Sequence, residues 1–296
     1  MSPTETTKRT ILIQLDGDAQ PSVFDAVVAV DAGVDVLLRH ASVRAASVRG
    51  LVYGAIFTRG PGDLSRTAIF IGGSDVAAAE ALLAAVRGTF FGPMRVSVMI
   101  DPAGANTTAA AAVLAAGRHV RLSQSKVLVM AATGSVGRRV VQLLASQGAE
   151  VRAASRNEDR ARAVCEAVAA KIPSARLSPW SSATPQQAAA ALQDCQVVIA
   201  AGAPGVMLLP AAIRQGWAGL QVAIDLNAVQ PFGLEGIEPA DRGQPRDGVL
   251  AYGAIGIGAV KMKLHKAALR KLFTSSDLVL DATEIFELGR EQREQD

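Results

Sequence analysis

Short runs of apolar, β-branched residues alternate along this chain with longer Ala- and Leu-rich runs whose apolar positions recur every three or four residues. Continuous apolar runs bounded by turn residues mark buried strands, and the 3.6-residue period marks amphipathic helices. Their alternation predicts an α/β fold built on mainly parallel sheet. Strands are expected near 11–15, 34–38, 55–58, 68–71, 96–100, 126–131, 150–154, 197–201, 221–226 and 249–252, with helices between most of them.

Two seams break this rhythm. Near 101–108 a connecting helix over 103–119 is expected, with Asn106 or Thr107 as its cap and an alanine run of high helix propensity behind. The glycines of 253–258 mark the second, leading into C-terminal helices near 259–273 and 281–292 that pack back on the first domain.

Between the seams, KVLVMAATGSVGRRVVQLLASQGAEVRAASR (126–156) has the order and length of the first βαβ unit of a dinucleotide-binding domain. Gly134 lets backbone approach a pyrophosphate, Gly137 lets the helix approach the strand, and the first helical amides offer donors to phosphate. Ala132 stands where the usual motif has its first glycine. NAD sites place a carboxylate about 20 residues on, to hold the ribose 2′-hydroxyl. Ser155 and Arg156 stand there instead. An arginine attracts a 2′-phosphate in planar, bidentate fashion, which selects NADP; the plain alternative is a surface arginine at a strand end. The turn residues Ala132, Thr133, Gly134, Ser135, Val136 and Gly137 are therefore candidate NADP contacts together with Ser155 and Arg156. Ala201, Gly202 and Asn227 join them, because the loops closing the next two strands should face the nicotinamide half of the cofactor.

The fold class is then α/β, a Rossmann-type NADP domain plus a smaller α/β substrate domain with a cleft between them. The expected boundaries are 1–105, joined by helices 262–296, for the substrate domain and 106–261 for the NADP domain.

Composition narrows the partners. With 30 basic against 27 acidic residues spread along the chain and only 4% aromatics, no basic, aromatic-laced stripe for nucleic acid is present. The polar N-terminus (1–10) and the lack of a long uninterrupted apolar run argue against a signal peptide or membrane span, leaving the cytoplasm. Cys165 and Cys195 fall in apolar-periodic segments and read as reduced, buried thiols. With the three histidines His40, His119 and His265 scattered, no metal site is expected. His265 reads as a helix-surface residue.

Oxidising an alcohol requires a positioned acid/base or a metal. The chain has no Tyr-x-x-x-Lys: Tyr53 is followed four places on by Phe57, and Tyr252 by Gly256. A substrate whose oxidation yields a stabilised cation, such as a cyclic aminal going to an amidinium, needs no proton removed in the hydride step.

The runs LDGDAQPSVFDAVVAVDAG (15–33), AIFIGG (68–73), FFGPMRVSVMIDPAGANTTAAA (90–111), ATGSVG (132–137) and GAIGIGAVKMKLHKA (253–267) resemble the bacterial methylene-tetrahydromethanopterin dehydrogenase family, collinearly over nearly the whole chain. The likeness is greatest to its NADP-specific branch, which also takes methylene-tetrahydrofolate. It implies hydride transfer from a pterin's methylene carbon to NADP+, a pterin-binding N-terminal domain and a homo-oligomer. Lys261 matches a family lysine placed near the pterin, where it would orient a carbonyl or ring nitrogen; otherwise it is a solvated helix lysine. Lys261, Asp101 and Asn106 are candidate catalytic groups, and Gln14, Asp16, Asp18 and Thr107 candidate substrate contacts. Asp16 and Asp18 read equally well as turn or cap residues before a helix over 22–30. Phe24 and Phe91 either stack on the pterin or pack in the core.

Two other readings share the motif. A shikimate-like alcohol dehydrogenase would need a lysine–carboxylate pair in the N-terminal domain, yet Lys8 is the only lysine before Lys126. A non-enzymatic NADPH-binding protein would keep the fold without the substrate site.

Overall fold

The computed structural model describes residues 8–295, and of Gln295 the backbone alone. The polar N-terminal stretch therefore lies outside the described residues as far as residue 7. Two compact units result: one of 1–107 with 262–288, the other of 108–261 with 289–296.

The first unit runs β1 (Ile11–Leu15), α1 (Val23–Asp31), β2 (Val36–His40), α2 (Arg49–Phe57), β3 (Thr67–Ile71), α3 (Val76–Thr89) and β4 (Ser97–Ile100) before entering α4 (Ala105–Ala116). Its five-stranded sheet has the order β12-β4-β3-β1-β2, with every pairing parallel and β12 (Val279–Leu280) supplied by the C-terminal segment. One face buries Ile13, Leu15, Ile69, Ile71 and Val98 against Val52, Ile56, Leu82 and Val86 of α2 and α3.

The expected strand at 55–58 is helix α2. Its buried Val52, Ala55 and Ile56 follow a helical spacing that the β-branched residues obscure. Three strands escaped the sequence reading. They are β7 (Arg176–Ser181), β10 (Arg242–Arg246) and the two-residue β12. Each lies at a sheet edge. An edge needs no apolar alternation and tolerates Pro179 and Pro245.

In the second unit β5 (Lys126–Met130), α5 (Ser135–Ser146), β6 (Glu150–Ser155), α6 (Glu158–Ala169), β7, α7 (Pro185–Leu192), β8 (Val197–Ala200), α8 (Ala211–Gln215), β9 (Val222–Asp225), β10 and β11 (Val249–Tyr252) form a seven-stranded sheet, order β10-β11-β9-β8-β5-β6-β7. Without the antiparallel β10, this is the 3-2-1-4-5-6 order of dinucleotide-binding domains. The strand order reverses between β5 and β8, the place where ligands bind beyond the strands' carboxyl ends.

Helix α9 (Ala254–Lys271) and helix α10 (Ala282–Gln295) complete the chain. The chain leaves the second unit inside α9, between Lys261 and Met262, a few residues past the glycines. Two of those glycines serve packing: a Cβ at Gly253 would overlap the Glu238 carbonyl, and one at Gly256 the Asp241 carbonyl.

Candidate active site

At the switch point, β5 ends in a turn whose shape depends on small residues. A Cβ on Gly137 would stand 2.5 Å from the Ala131 carbonyl oxygen and 2.8 Å from the Ala132 Cα, so only glycine seats α5 against the turn. The left-handed backbone falls on Ala131 (φ 54°), one residue before the position that departs from the usual glycine. Ala132 is buried and its amide is bonded to the Ala154 carbonyl. Gly134 is the N-cap of α5 and supplies no side-chain cap. That leaves the first amides of a three-turn helix open beside an exposed glycine, the arrangement that receives phosphate. The Arg138 Nε donates to the Thr133 carbonyl at 2.9 Å and braces the turn.

The ends of β6 and β8 flank this turn. Ser155 is buried and its hydroxyl accepts from the Asn157 amide at 3.3 Å, while Arg156 stands exposed. Asn157 caps α6. On the other side the Ala201 amide is bonded to the Met130 carbonyl, and a Cβ on Gly134 would lie 3.8 Å from the Ala201 oxygen. The predicted turn, Ser155, Arg156 and Ala201 thus gather at one edge. Gly202 lies against the end of the Leu208 side chain, which a Cβ there would meet at 2.8 Å.

Asn227 is placed differently from the expectation. It is buried, with its side chain donating to the Pro231 carbonyl and accepting from the Val229 amide, so it knits its own loop. Beneath it, burial pushes the Asp225 carboxyl up while backbone donors from Leu234, Asn227 and Gly233 pull it back. A Cβ on Gly233 would crowd that carboxylate at 2.8 Å.

In the first unit the polar candidates lie at the carboxyl ends of β1, β3 and β4. The Asp16 carboxylate accepts from the amides of Asp18 and Ser22, and Asp18 accepts from the amide and hydroxyl of Ser74. These are turn roles; Ser22 itself caps α1. Gly72 and Gly73 bring the end of β3 against Asp16, where a Cβ would stand 3.2 Å and 3.3 Å from its oxygens. Gln14 is buried, donating to the Ser22 carbonyl and accepting from Arg39. The glycine pair ending an apolar strand was the sequence signal for this corner.

Asp101 is fully buried and accepts from the Asn106 amide (2.8 Å), the Thr107 amide (3.1 Å) and the Thr107 hydroxyl (2.6 Å). Asn106 Nδ2 donates to the Ile100 carbonyl. The cap expected of Asn106 or Thr107 is therefore supplied by Asp101. A carboxylate so occupied positions the start of the helix.

His265 is the clearest correction: it is buried, its ring 5.7 Å from that of Phe70 and 6.4 Å from that of Phe24. Lys261, Lys263 and Lys266 beside it in sequence suggested a surface position; they stay half-buried or exposed while His265 alone among them is buried. Neither Phe24 nor Phe91 packs in the core, since both are about half exposed. Phe24 opens α1 beside the Asp16 corner, whereas Phe91, in the hairpin before β4, meets the Phe57 ring at a tilt. Lys261 is half-buried on α9.

A family model described as methylene-tetrahydromethanopterin dehydrogenase, N-terminal, matches residues 23–103, and an NAD(P)H-binding model matches 131–222. The chain is 42% identical over 285 residues to the bifunctional protein MdtA of Methylorubrum extorquens, covering 95% of this chain and 98% of that protein. This chain belongs to the methylene-tetrahydromethanopterin dehydrogenase family. It is also 29% identical to an NAD(P)-dependent methylenetetrahydromethanopterin dehydrogenase of the same organism, over 96% of this chain and 98% of the other.

For this family member two solved structures corroborate the fold alone. They are a 5-ketofructose reductase of Gluconobacter sp. strain CHM43 (12% identity, 96% of this chain and 99% of that one, TM-score 0.52) and a quinate dehydrogenase from Corynebacterium glutamicum (13% identity, 96% and 100%, TM-score 0.50). Among the described residues no cluster of metal-ligating side chains occurs, and no helix is long and apolar enough to cross a membrane.

Proposed function

We propose that this chain transfers a hydride from the methylene carbon of methylene-tetrahydromethanopterin, and of methylene-tetrahydrofolate as a second substrate, to NADP+. The product is the methenyl pterin, and the place is one-carbon metabolism in the cytoplasm, in a homo-oligomer. The observation that carries this reading is the pairing in one chain of the family's N-terminal unit with an uncapped phosphate turn.

NADP+, when bound, supplies the hydride acceptor. The turn 132–137 receives its pyrophosphate on the α5 amides, and Ser155 with Arg156 takes the 2′-phosphate. Ala201 and Gly202 leave room for a flat ring. In the first unit the Asp16–Gly72 corner and the exposed face of Phe24 receive the pterin, with Phe24 preferred to Phe91 because only Phe24 opens at the carboxyl ends of the strands. Lys261 orients the pterin by charge. No proton leaves in the hydride step, because the product is a delocalised amidinium cation. Asp101, Asn106 and Thr107 accordingly hold the start of α4 and leave the chemistry to positioning.

Purified protein mixed with NADP+ and each methylene pterin should show methenyl-pterin absorbance rising with NADPH. Comparing kcat/KM for the two pterins ranks the substrates. No methenyl product from either would remove the enzyme reading in favour of an NADPH-binding protein.

A further inference from the structure

Arg138 stands one turn into α5, its backbone amide bonded to the Gly134 carbonyl at 3.1 Å. Its exposed side chain is tied at one point: Nε donates to the Thr133 carbonyl at 2.9 Å, and no protein group among the described residues holds the two terminal amino groups. A guanidinium carries five donors in a rigid plane that matches phosphate. Fixing Nε sets that plane and leaves its outer edge for a ligand. Bracing the turn needs only one donor, so the charge on this side chain is left without a task in the protein.

We infer that Arg138 is a second cation for the 2′-phosphate of NADP+, closing on it from the turn while Arg156 closes from the end of β6. This rests on the reading that the turn 132–137 holds the cofactor. Three observations select the 2′-phosphate over the pyrophosphate. The Ala132 amide is bonded to the Ala154 carbonyl at 2.9 Å, so Thr133, which anchors the Arg138 guanidinium, lies beside the strand end that carries Ser155 and Arg156. Thr133 is one residue from that bond and Arg156 two, at about 3.8 Å per residue, which puts both arginines within side-chain reach of one anion. Gly134 lies on the other side, toward β8, where its Cβ would stand 3.8 Å from the Ala201 oxygen; the α5 amides that open there suit the pyrophosphate. Finally, neither 131–139 nor 151–157 contains Asp or Glu, and Glu158, the first acid beyond them, is paired with Arg162. A phosphate between the two arginines meets no like charge from either segment. Both arginines fall within the residues 131–222 matched by the NAD(P)H-binding model.

Arg138→Gln separates charge from brace, because the glutamine Nε2 takes the place of the arginine Nε and can still donate to the Thr133 carbonyl. In calorimetric titrations of the full chain, Arg138→Gln should weaken NADP+ about tenfold, the loss of one charge-assisted contact, and leave NAD+ within about twofold. Equal losses for the two cofactors would assign the charge to the pyrophosphate or the turn and overturn the proposal, as would unchanged NADP+ binding. A wild type that binds neither cofactor would instead remove the reading on which the proposal rests. Should the glutamine variant fail to fold, the wild type decides. Phenylglyoxal labelling mapped by peptide mass should spare Arg138 under NADP+ and modify it under NAD+. Equal protection by both cofactors, or by neither, would overturn the 2′-phosphate role.

Discussion

At the scale of single residues, the nucleotide turn is where sequence and structure agree most closely. The close approach that only glycine permits is at Gly137, and it was legible because glycine at that spacing has one task. The left-handed strain at Ala131 was not legible, since an alanine carries no mark of its φ. A non-glycine residue in that region costs about 1–2 kcal/mol. Ala131→Gly is expected to raise the thermal midpoint by a few degrees with activity kept. Gly137→Ala should do the reverse, losing NADP+ binding and stability together as its Cβ meets the Ala131 oxygen. For Arg156→Glu we expect the KM for NADP+ to rise about 10- to 100-fold, the loss of a charge-assisted contact worth roughly 1.5–3 kcal/mol, while the KM for NAD+ barely moves; equal changes would contradict the 2′-phosphate role. Lys261→Ala should cost turnover and spare NADP+ binding in titration. The thiols test the packing around them: burial raises both, Cys195 to about 11, so at pH 8 neither should react with a thiol reagent until the chain unfolds.

Elements reveal a different kind of gap. Central strands were read from their apolar runs to within a residue or two, because both faces of a parallel sheet are covered and no alternation blurs the signal. Edge strands β7, β10 and β12 lack that signal, and α2 imitates a strand through its β-branched residues. Polar residues at strand ends were found, and a turn role for Asp16 and Asp18 was legible beside the substrate role; what was not legible is which amides they hold, since Ser74, which bonds Asp18, lies 56 residues away, and Asp101 holds the amides of Asn106 and Thr107 in place of their own side chains. If Asp101 caps α4, Asp101→Asn should lower stability by about 1–3 kcal/mol in urea unfolding and leave the shape of the pH–rate profile unchanged. A displaced limb in that profile would restore it as an acid/base.

On the scale of the whole molecule, sheet order and kinship point the same way. The doubly wound order in one unit supports a dinucleotide site, while the proposed substrate rests on kinship over 95% of the chain. Motif logic alone reached the cofactor and stopped there, since nothing in the spacing of Gln14, Asp16 or Phe24 encodes a pterin. The central claim is direct hydride transfer without a proton-transfer partner, and a methylene pterin dideuterated at the bridging carbon tests it most directly. One deuterium should appear in NADPH and the other in the methenyl product, with none released to water. Deuterium in the solvent, or NADPH formed without it, would contradict the account.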